Sequence, residues 1–348
     1  MLLWTIEARP LPLRYTWKIS RNASDAKVNL LIGVRSQGEP PLAGWAEAAP
    51  NVRYGETPER LQAEFAALQG AGLSEVGSEE ELAALLQAHP VAQALRFAVE
   101  AAYLHYQALR LGQPVWQYLG VPAPAAAVPT AFSLPIMAPE DVASFLQQHQ
   151  ASRFALLKVK VNQESGLALL RAVAAALPGK PLIVDGNEAW PDADSLLQFL
   201  EQCQAVAGLQ VQVLEQPLPA ACVPDYQYLR PRSPYPLFAD ESVTHHADFR
   251  EIAGQFHGVN MKLMKAGGYR QGVEILRQTH AHGLQAMVGC MVETSLGIWS
   301  AVQVSGLAQV HDLDGFLVIK KDPFGFVQET QGAIVAQSAV PQPGNGLT

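Results

Sequence analysis

One pattern repeats between residues 129 and 315: a short apolar run ends in a polar or charged residue, an amphipathic stretch follows, and the next run begins. Eight such runs occur, PTAFSL, FALLKVK, PLIVDGN, VQVLEQP, YPLFADES, GVNMKLMK, QAMVGCMVET and VHDLDG. The residues closing seven of them, Lys160, Asp185, Glu215, Asp240, Lys262, Glu293 and Asp312, follow one another at steps of 19 to 31 residues. About 25 residues accommodate one strand, one helix and their connections, so the spacing predicts a parallel βα-barrel. Residues 164–177, 192–206, 247–256 and 269–282 supply apolar positions at i, i+3, i+4 for the intervening helices. Pro231, Pro234 and Pro236 confine another helix to residues near 225–229.

The N-terminal segment has a different texture. Residues 1 to about 60 alternate as antiparallel strands do, with a Gly/Pro break at 37–41. Thr57-Pro58-Glu59 is a helix start, residues 91–111 form a long Ala-rich helix, and the Ala/Pro run at 121–129 is a linker. An α+β unit ahead of a barrel is therefore expected. The chain of 348 residues is 49% hydrophobic and only 16% charged, which excludes disorder. Its net charge of −8 and lack of a basic cluster argue against nucleic-acid binding. Three widely spaced cysteines exclude a disulfide scaffold. The opening MLLWTIEARP is broken by Glu7 and Arg9, too early for a signal peptide, and no apolar run approaches about 18 residues. A soluble, cytoplasmic chain without membrane attachment is expected.

Charge at the C-terminal ends of barrel strands collects at one mouth, where barrel enzymes place their sites. Asp185, Glu215 and Asp240 arrive there from three consecutive strands, and an oxygen-only set suits Mg²⁺ better than Zn²⁺. Lys158 and Lys160 share a strand face, and Lys262 stands four strands on, across the barrel. Adjacent lysines depress one another's pKa, which makes a base available near neutrality. Lysines on two sides of a carbon whose carboxylate is held by a metal could remove a proton from one face and return it on the other, through an enediolate.

These residues resemble the enolase superfamily, in particular its muconate-lactonising subgroup. The likeness rests on KVK at Lys158–Lys160, D-G-N at Asp185, EQP at Glu215, DES at Asp240 and NMKLMKAGG around Lys262. It implies an α/β fold with a modified (β/α)7β TIM barrel at 123–322 and an N-terminal α+β capping domain at 1–122, completed by 323–348. It also implies Lys160 and Lys262 as the acid/base pair assisted by Lys158, Mg²⁺ on Asp185, Glu215 and Asp240, and a homo-oligomer.

HDLDG, with Asp312 and Asp314 on one face, and the cap segments WKISRNAS and PNVRYGET further resemble dipeptide epimerases of the Ala-Glu epimerase type. On that likeness Asp312 and Asp314 hold a substrate ammonium, and Arg21, Ser24, Tyr54, Ser133 and Glu293 contribute to substrate binding. Ser24 falls where those enzymes carry an arginine for a glutamate side chain, so a hydrophobic second residue is expected unless Arg21 substitutes. The rivals on the same scaffold are o-succinylbenzoate synthase, N-acylamino-acid racemase and cycloisomerase, whose acylated or anionic substrates should avoid Asp312 and Asp314. A non-catalytic binding barrel is the reading from another class. The histidines lack HExxH spacing, and Cys290 has no paired base.

Overall fold

Alternating burial along the first strand starts the architecture. In the computed structural model, which describes residues 1–37, 42–337 and 340, β1 (Leu2–Lys18), β2 (Ala23–Ser36) and β3 (Ala43–Ala48) form an antiparallel sheet in that order. Most of the expected break at 37–41 lies outside the described residues. Leu2, Trp4, Leu11 and Leu13 of β1 are buried. The β1–β2 register shifts between Pro12 and Trp17, and there Leu13 bridges to Ile319 while Arg14 N donates to Val318 O at 2.9 Å. The hairpin is thereby fastened to the far end of the chain.

Three helices cover this sheet, α1 (Pro58–Gly70), α2 (Glu79–Ala88) and α3 (Gln93–Arg110). The Thr57 hydroxyl caps α1 by accepting from Arg60 N, with Pro58 at the first position, as the sequence predicts. Fourteen residues of α3 are buried, because the helix is gripped on two sides. His105 joins them: its Nδ1 lies 2.6 Å from Trp45 O on β3 and its Nε2 lies 2.8 Å from the Tyr269 hydroxyl of the barrel. Burial pushes His105 down to about 4, so it stays neutral.

After the short β4 (Val128–Pro129) comes the barrel, with parallel strands β5 (Ala131–Leu134), β6 (Leu156–Lys160), β7 (Pro181–Asp185), β8 (Gln210–Glu215), β9 (Leu237–Ala239), β10 (Gly258–Met261), β11 (Gln285–Gly289) and β12 (Val310–Asp312) neighbouring one another in chain order. Each of the eight predicted runs carries one of these strands, although GVNMKLMK continues into a short helix at Leu263–Ala266 and QAMVGCMVET runs on past the end of its strand at Gly289. Helices at Gly166–Ala176, Ala193–Gln204, Val223–Leu229, Phe249–Gln255 and Tyr269–Ala281 fall within the predicted stretches or start just ahead of them. The two outermost strands meet through side chains: Leu313 N donates to Thr130 Oγ1 at 2.8 Å, and Ser133 N to Asp314 Oδ2 at 2.6 Å.

The interior is laid in tiers, because alternate residues of a strand face the same way. Ala131, Ile183, Val213, Phe238 and Met287, with Leu156 and Val310 against them, make an apolar floor. Gly258 is the eighth position, and a Cβ there would lie 2.5 Å from the Phe238 ring. Two residues further along each strand stand Ser133, Lys158, Asp185, Glu215, Asp240, Asn260, Gly289 and Asp312. The same two-residue step past that tier brings Lys160, Lys262 and Asp314 to the mouth.

The strands β13 (Val327–Thr330) and β14 (Ala333–Ala336) form a hairpin that pairs with β4. Of the segment expected to complete the cap, residues 338–339 and 341–348 lie outside the described residues. Among the described residues no helix is long and apolar enough to cross a membrane.

Gly44 sets how closely α3 approaches β3. An added Cβ would stand 2.0 Å from Ala102 O and 2.5 Å from Tyr106 N, both backbone atoms that cannot step aside singly. Gly44→Ala should cost about 1–3 kcal/mol of stability, read by urea denaturation. A change below about 0.5 kcal/mol, the size of an ordinary surface substitution, would contradict this packing.

Candidate active site

Five of the eight residues in the tier above the floor, Lys158, Asp185, Glu215, Asp240 and Asp312, have ionisable side chains, and all five are buried. Lys158 is 1% exposed, and its Nζ lies 3.0 Å from Asp185 Oδ2, 2.8 Å from Glu215 Oε2 and 2.8 Å from Asp312 Oδ2. Lys160 Nζ sits 2.6 Å from Asp185 Oδ2. On the opposite wall Lys262 Nζ lies 3.0 Å from Asp240 Oδ2, and Lys265 Nζ lies 2.5 Å from Asp240 Oδ1. Asn260 donates to Glu215 Oε1 at 2.8 Å. Lys158, Lys160, Asp240 and Lys262 line a cavity of about 330 Å³, a size that suits a small ligand, while Asp185 and Glu215 lie fully buried behind that lining, paired with Lys158.

Backbone geometry aims these groups. Gln216, with φ at 34°, turns the chain after Glu215; its carbonyl Oε1 accepts from Asp240 N and Ser242 N, tying the ends of β8 and β9 together. Asn187 and Glu188 also lie in the left-handed region, at φ 43° and 64°. That turn directs Glu188 toward the cap, where it pairs with Arg21 at 2.7 Å and with Arg53 at 2.9 Å. Arg21 also pairs with Glu241 at 2.7 Å. Both cap segments are therefore held over the mouth by charge.

The electrostatics differ from the sequence expectation. Burial opposes the charge of Lys158, but Asp185, Asp312 and Glu215 overcome it and hold the ammonium well above its usual range. Asp240 does the same for Lys262 against burial. Repulsion from a neighbouring lysine, expected to lower Lys158, is outweighed by the three carboxylates within 3.0 Å of it. The acids respond unequally. Asp240 is held down by Lys262 and Lys265 against burial, whereas burial and the neighbouring Asp185 push Glu215 up to about 7. Asp314 is likewise pushed up to about 7, by burial and Asp312.

Asp185, Glu215 and Asp240 are oxygen donors that raise one another's burden of negative charge, a chemistry that fits a hard divalent cation. Among the described residues no three such groups converge tightly enough to hold a metal as they stand. The lysines account for this, since their ammoniums occupy carboxylate oxygens of the set.

The other predicted residues separate. Asp312, Asp314, Ser133, Tyr54 and Arg21 line the cavity. Ser24 does not; it lies on β2, and its hydroxyl accepts from Lys27, which does line the cavity. Glu293 is a correction: the inward position of β11 is Gly289, and Glu293 lies four residues on, before the helix Ser295–Val302. It is buried outside the cavity lining, accepting from Met291 N at 2.7 Å. Lys265, Asn260, Asn187, Glu188, Arg53 and Lys27 went unread as site residues. Lys265 carried a signal, recurring three residues after Lys262 in NMKLMK.

The model of the enolase C-terminal domain-like family matches residues 141–347. The chain belongs to the enolase superfamily. It is 32% identical, over 94% of each chain, to an L-Ala-D/L-amino acid epimerase of Pedosphaera parvula. It superposes with a TM-score of 0.85, at 26% identity and over 97% of this chain and 99% of the other, on an enolase family member from Agrobacterium tumefaciens with homology to dipeptide epimerases, which holds sodium and L-Ala-L-Glu. A dipeptide epimerase from Enterococcus faecalis complexed with Mg and L-Leu-L-Tyr shares the fold at a TM-score of 0.83, with 22% identity over 99% of this chain and 98% of that one. As a member of this superfamily the chain has the (β/α)7β barrel and cap expected from its sequence.

Glu293 offers a test of the electrostatics around the site. Burial and Glu47 push it up from 4.5 to about 8. The folded chain therefore holds a proton that the unfolded chain releases, and the stability from this neutral carboxyl, full below 4.5, is lost as pH rises through about 8. Glu293→Gln should gain on the wild type by more than about 1 kcal/mol between pH 5 and pH 9 in urea melts. A difference independent of pH would refute the assignment.

Proposed function

We propose that this enolase-superfamily member is an isomerase that epimerises dipeptides of the L-Ala-Xaa type at the α-carbon of the second residue. The observation that carries the reading is the placement of Lys160 at the end of β6 and Lys262 immediately after β10, four strands apart in an eight-stranded barrel, with both side chains on one cavity. A carbon between them is addressed on both faces. One lysine removes the α-proton as a general base while the other, as an ammonium, delivers a proton to the opposite face. Lys158 offsets the charge of Asp185, Glu215 and Asp312 and shares Asp185 Oδ2 with Lys160.

Asp185, Glu215 and Asp240 would hold Mg²⁺, which would supply a counter-charge for the substrate carboxylate and for the enediolate form of it. Asp312 and Asp314 supply the dipeptide's ammonium with partners, and its charge would favour the ionised form of Asp314, which burial now opposes. Ser133 donates to Asp314 from both its N–H and its hydroxyl, holding that carboxylate in place. Lys158 pairs with Asp312 alone, so an N-acyl substrate would leave Asp314 without an ion-pair partner, which favours a dipeptide over an N-acylamino acid. Trp17, Ile19 and Tyr54 line the cavity from the cap and give the aliphatic part of the second residue's side chain apolar surface. Arg21 is committed to Glu188 and Glu241 and is not its receptor.

Incubating the protein in D₂O with a library of L-Ala-L-Xaa dipeptides and Mg²⁺ should add one deuterium to each substrate turned over, detected by mass spectrometry. Excess chelator should abolish the exchange and restored Mg²⁺ should return it, with a loss of at least about 100-fold between the two states. Exchange that persists in metal-free protein would overturn the metal's role. Exchange into N-acetylamino acids but no dipeptide would favour the racemase instead.

A further inference from the structure

Five cations line the cavity, Arg21, Lys27, Lys158, Lys160 and Lys262. Four have a carboxylate within 3.0 Å. Lys27 has no ion-pair partner among the described residues, although the surrounding site is rich in acids. Its Nζ donates only to the Ser24 hydroxyl, at 3.0 Å. The side chain is half-buried on the inner face of β2, and burial lowers its pKa with no carboxylate to oppose the shift.

The wall that presents Lys27 is built rather than loose. Asn29, two residues along on the same face, donates to Glu47 Oε1 at 2.7 Å and to Val292 O at 2.9 Å, pinning β2 to the barrel at this point. Ser24 stands opposite Trp17 in the β1–β2 ladder and accepts from the ammonium. A desolvated cation held without a counter-charge is costly unless something that enters the cavity supplies one. A bland alternative is a lysine whose stem covers apolar wall while its head reaches water.

We propose that Lys27 binds a carboxylate on the side chain of the substrate's second residue, so that acidic dipeptides such as L-Ala-L-Glu are preferred over wholly apolar ones. The inference rests on the dipeptide reading, in which the metal-binding acids take the main-chain carboxylate and Asp312 and Asp314 take the ammonium. The side-chain carboxylate is then the only anion left to meet Lys27. Trp17 and Ile19 accommodate the methylenes of such a side chain, and Ser24, which cannot itself supply a cation, orients the one three residues later. The expectation of a non-acidic second residue is revised accordingly.

The test compares kcat/KM for L-Ala-L-Glu, its neutral isostere L-Ala-L-Gln, and L-Ala-L-Leu, in wild type, Lys27→Met and Lys27→Arg, with Mg²⁺ in D₂O. Wild type should favour Ala-Glu over both others, and Lys27→Met should lower the Glu-to-Gln ratio by roughly 10- to 100-fold, the worth of one charge-assisted contact. Lys27→Arg should keep most of that ratio. A wild-type preference for Ala-Leu, or a ratio in Lys27→Met within about threefold of wild type, would overturn the assignment while leaving epimerisation intact. Exchange with no dipeptide at all would remove the underlying reading and this inference with it.

Discussion

The ammonium of Lys158, enclosed by Asp185, Glu215 and Asp312 within 3.0 Å, is the interaction around which the barrel mouth is organised. Charges this deep are tolerable only when paired. Four strands, β6, β7, β8 and β12, each contribute one member. Their pairing therefore helps close the barrel as well as preparing its chemistry. The apolar floor beneath excludes water from one side, and the rule that alternate residues face inward brings the working groups to the next two tiers.

The cap depends on the same economy of buried charge. Glu47 on β3 is buried, yet it accepts from Asn29, from Thr294 N and hydroxyl, and from Gly297 N at the start of the helix Ser295–Val302. Burial pushes the Glu47 carboxyl up, and the donors from Thr294, Asn29 and Gly297 oppose that shift. At the opposite rim Glu188 holds Arg21 and Arg53 together, so both cap segments facing the cavity are tied to the barrel by side chains. The cap can thus shape the specificity wall while the barrel holds the reacting groups.

Much of this was readable in the sequence because it is local. The eight runs announced their strands, and Thr57-Pro58 announced α1. The charged strand ends announced the site, since a two-residue period leaves little freedom over which side chains point inward. Glu293 misled because QAMVGCMVET continues as apolar sequence beyond Gly289, where the strand stops. Lys27, Glu188 and Arg53 carried no local signal; their meaning lies in contacts across more than a hundred residues, or in the absence of one. The direction of the Lys158 shift differs from expectation for a similar reason: its neighbour Lys160 is close in sequence, but the carboxylates that dominate Lys158 come from other strands.

The central claim is that Lys160 and Lys262 address opposite faces of one carbon. Its most direct measurement follows α-proton exchange by NMR in D₂O for Lys160→Ala and Lys262→Ala, each supplied separately with the L,L and L,D forms of one dipeptide. Net epimerisation should fall by about 10²–10⁴-fold in both variants. Each variant should retain exchange with only one diastereomer, and the two variants should retain opposite ones. Epimerisation at the wild-type rate in either variant, or exchange confined to the same diastereomer in both, would contradict the two-faced arrangement.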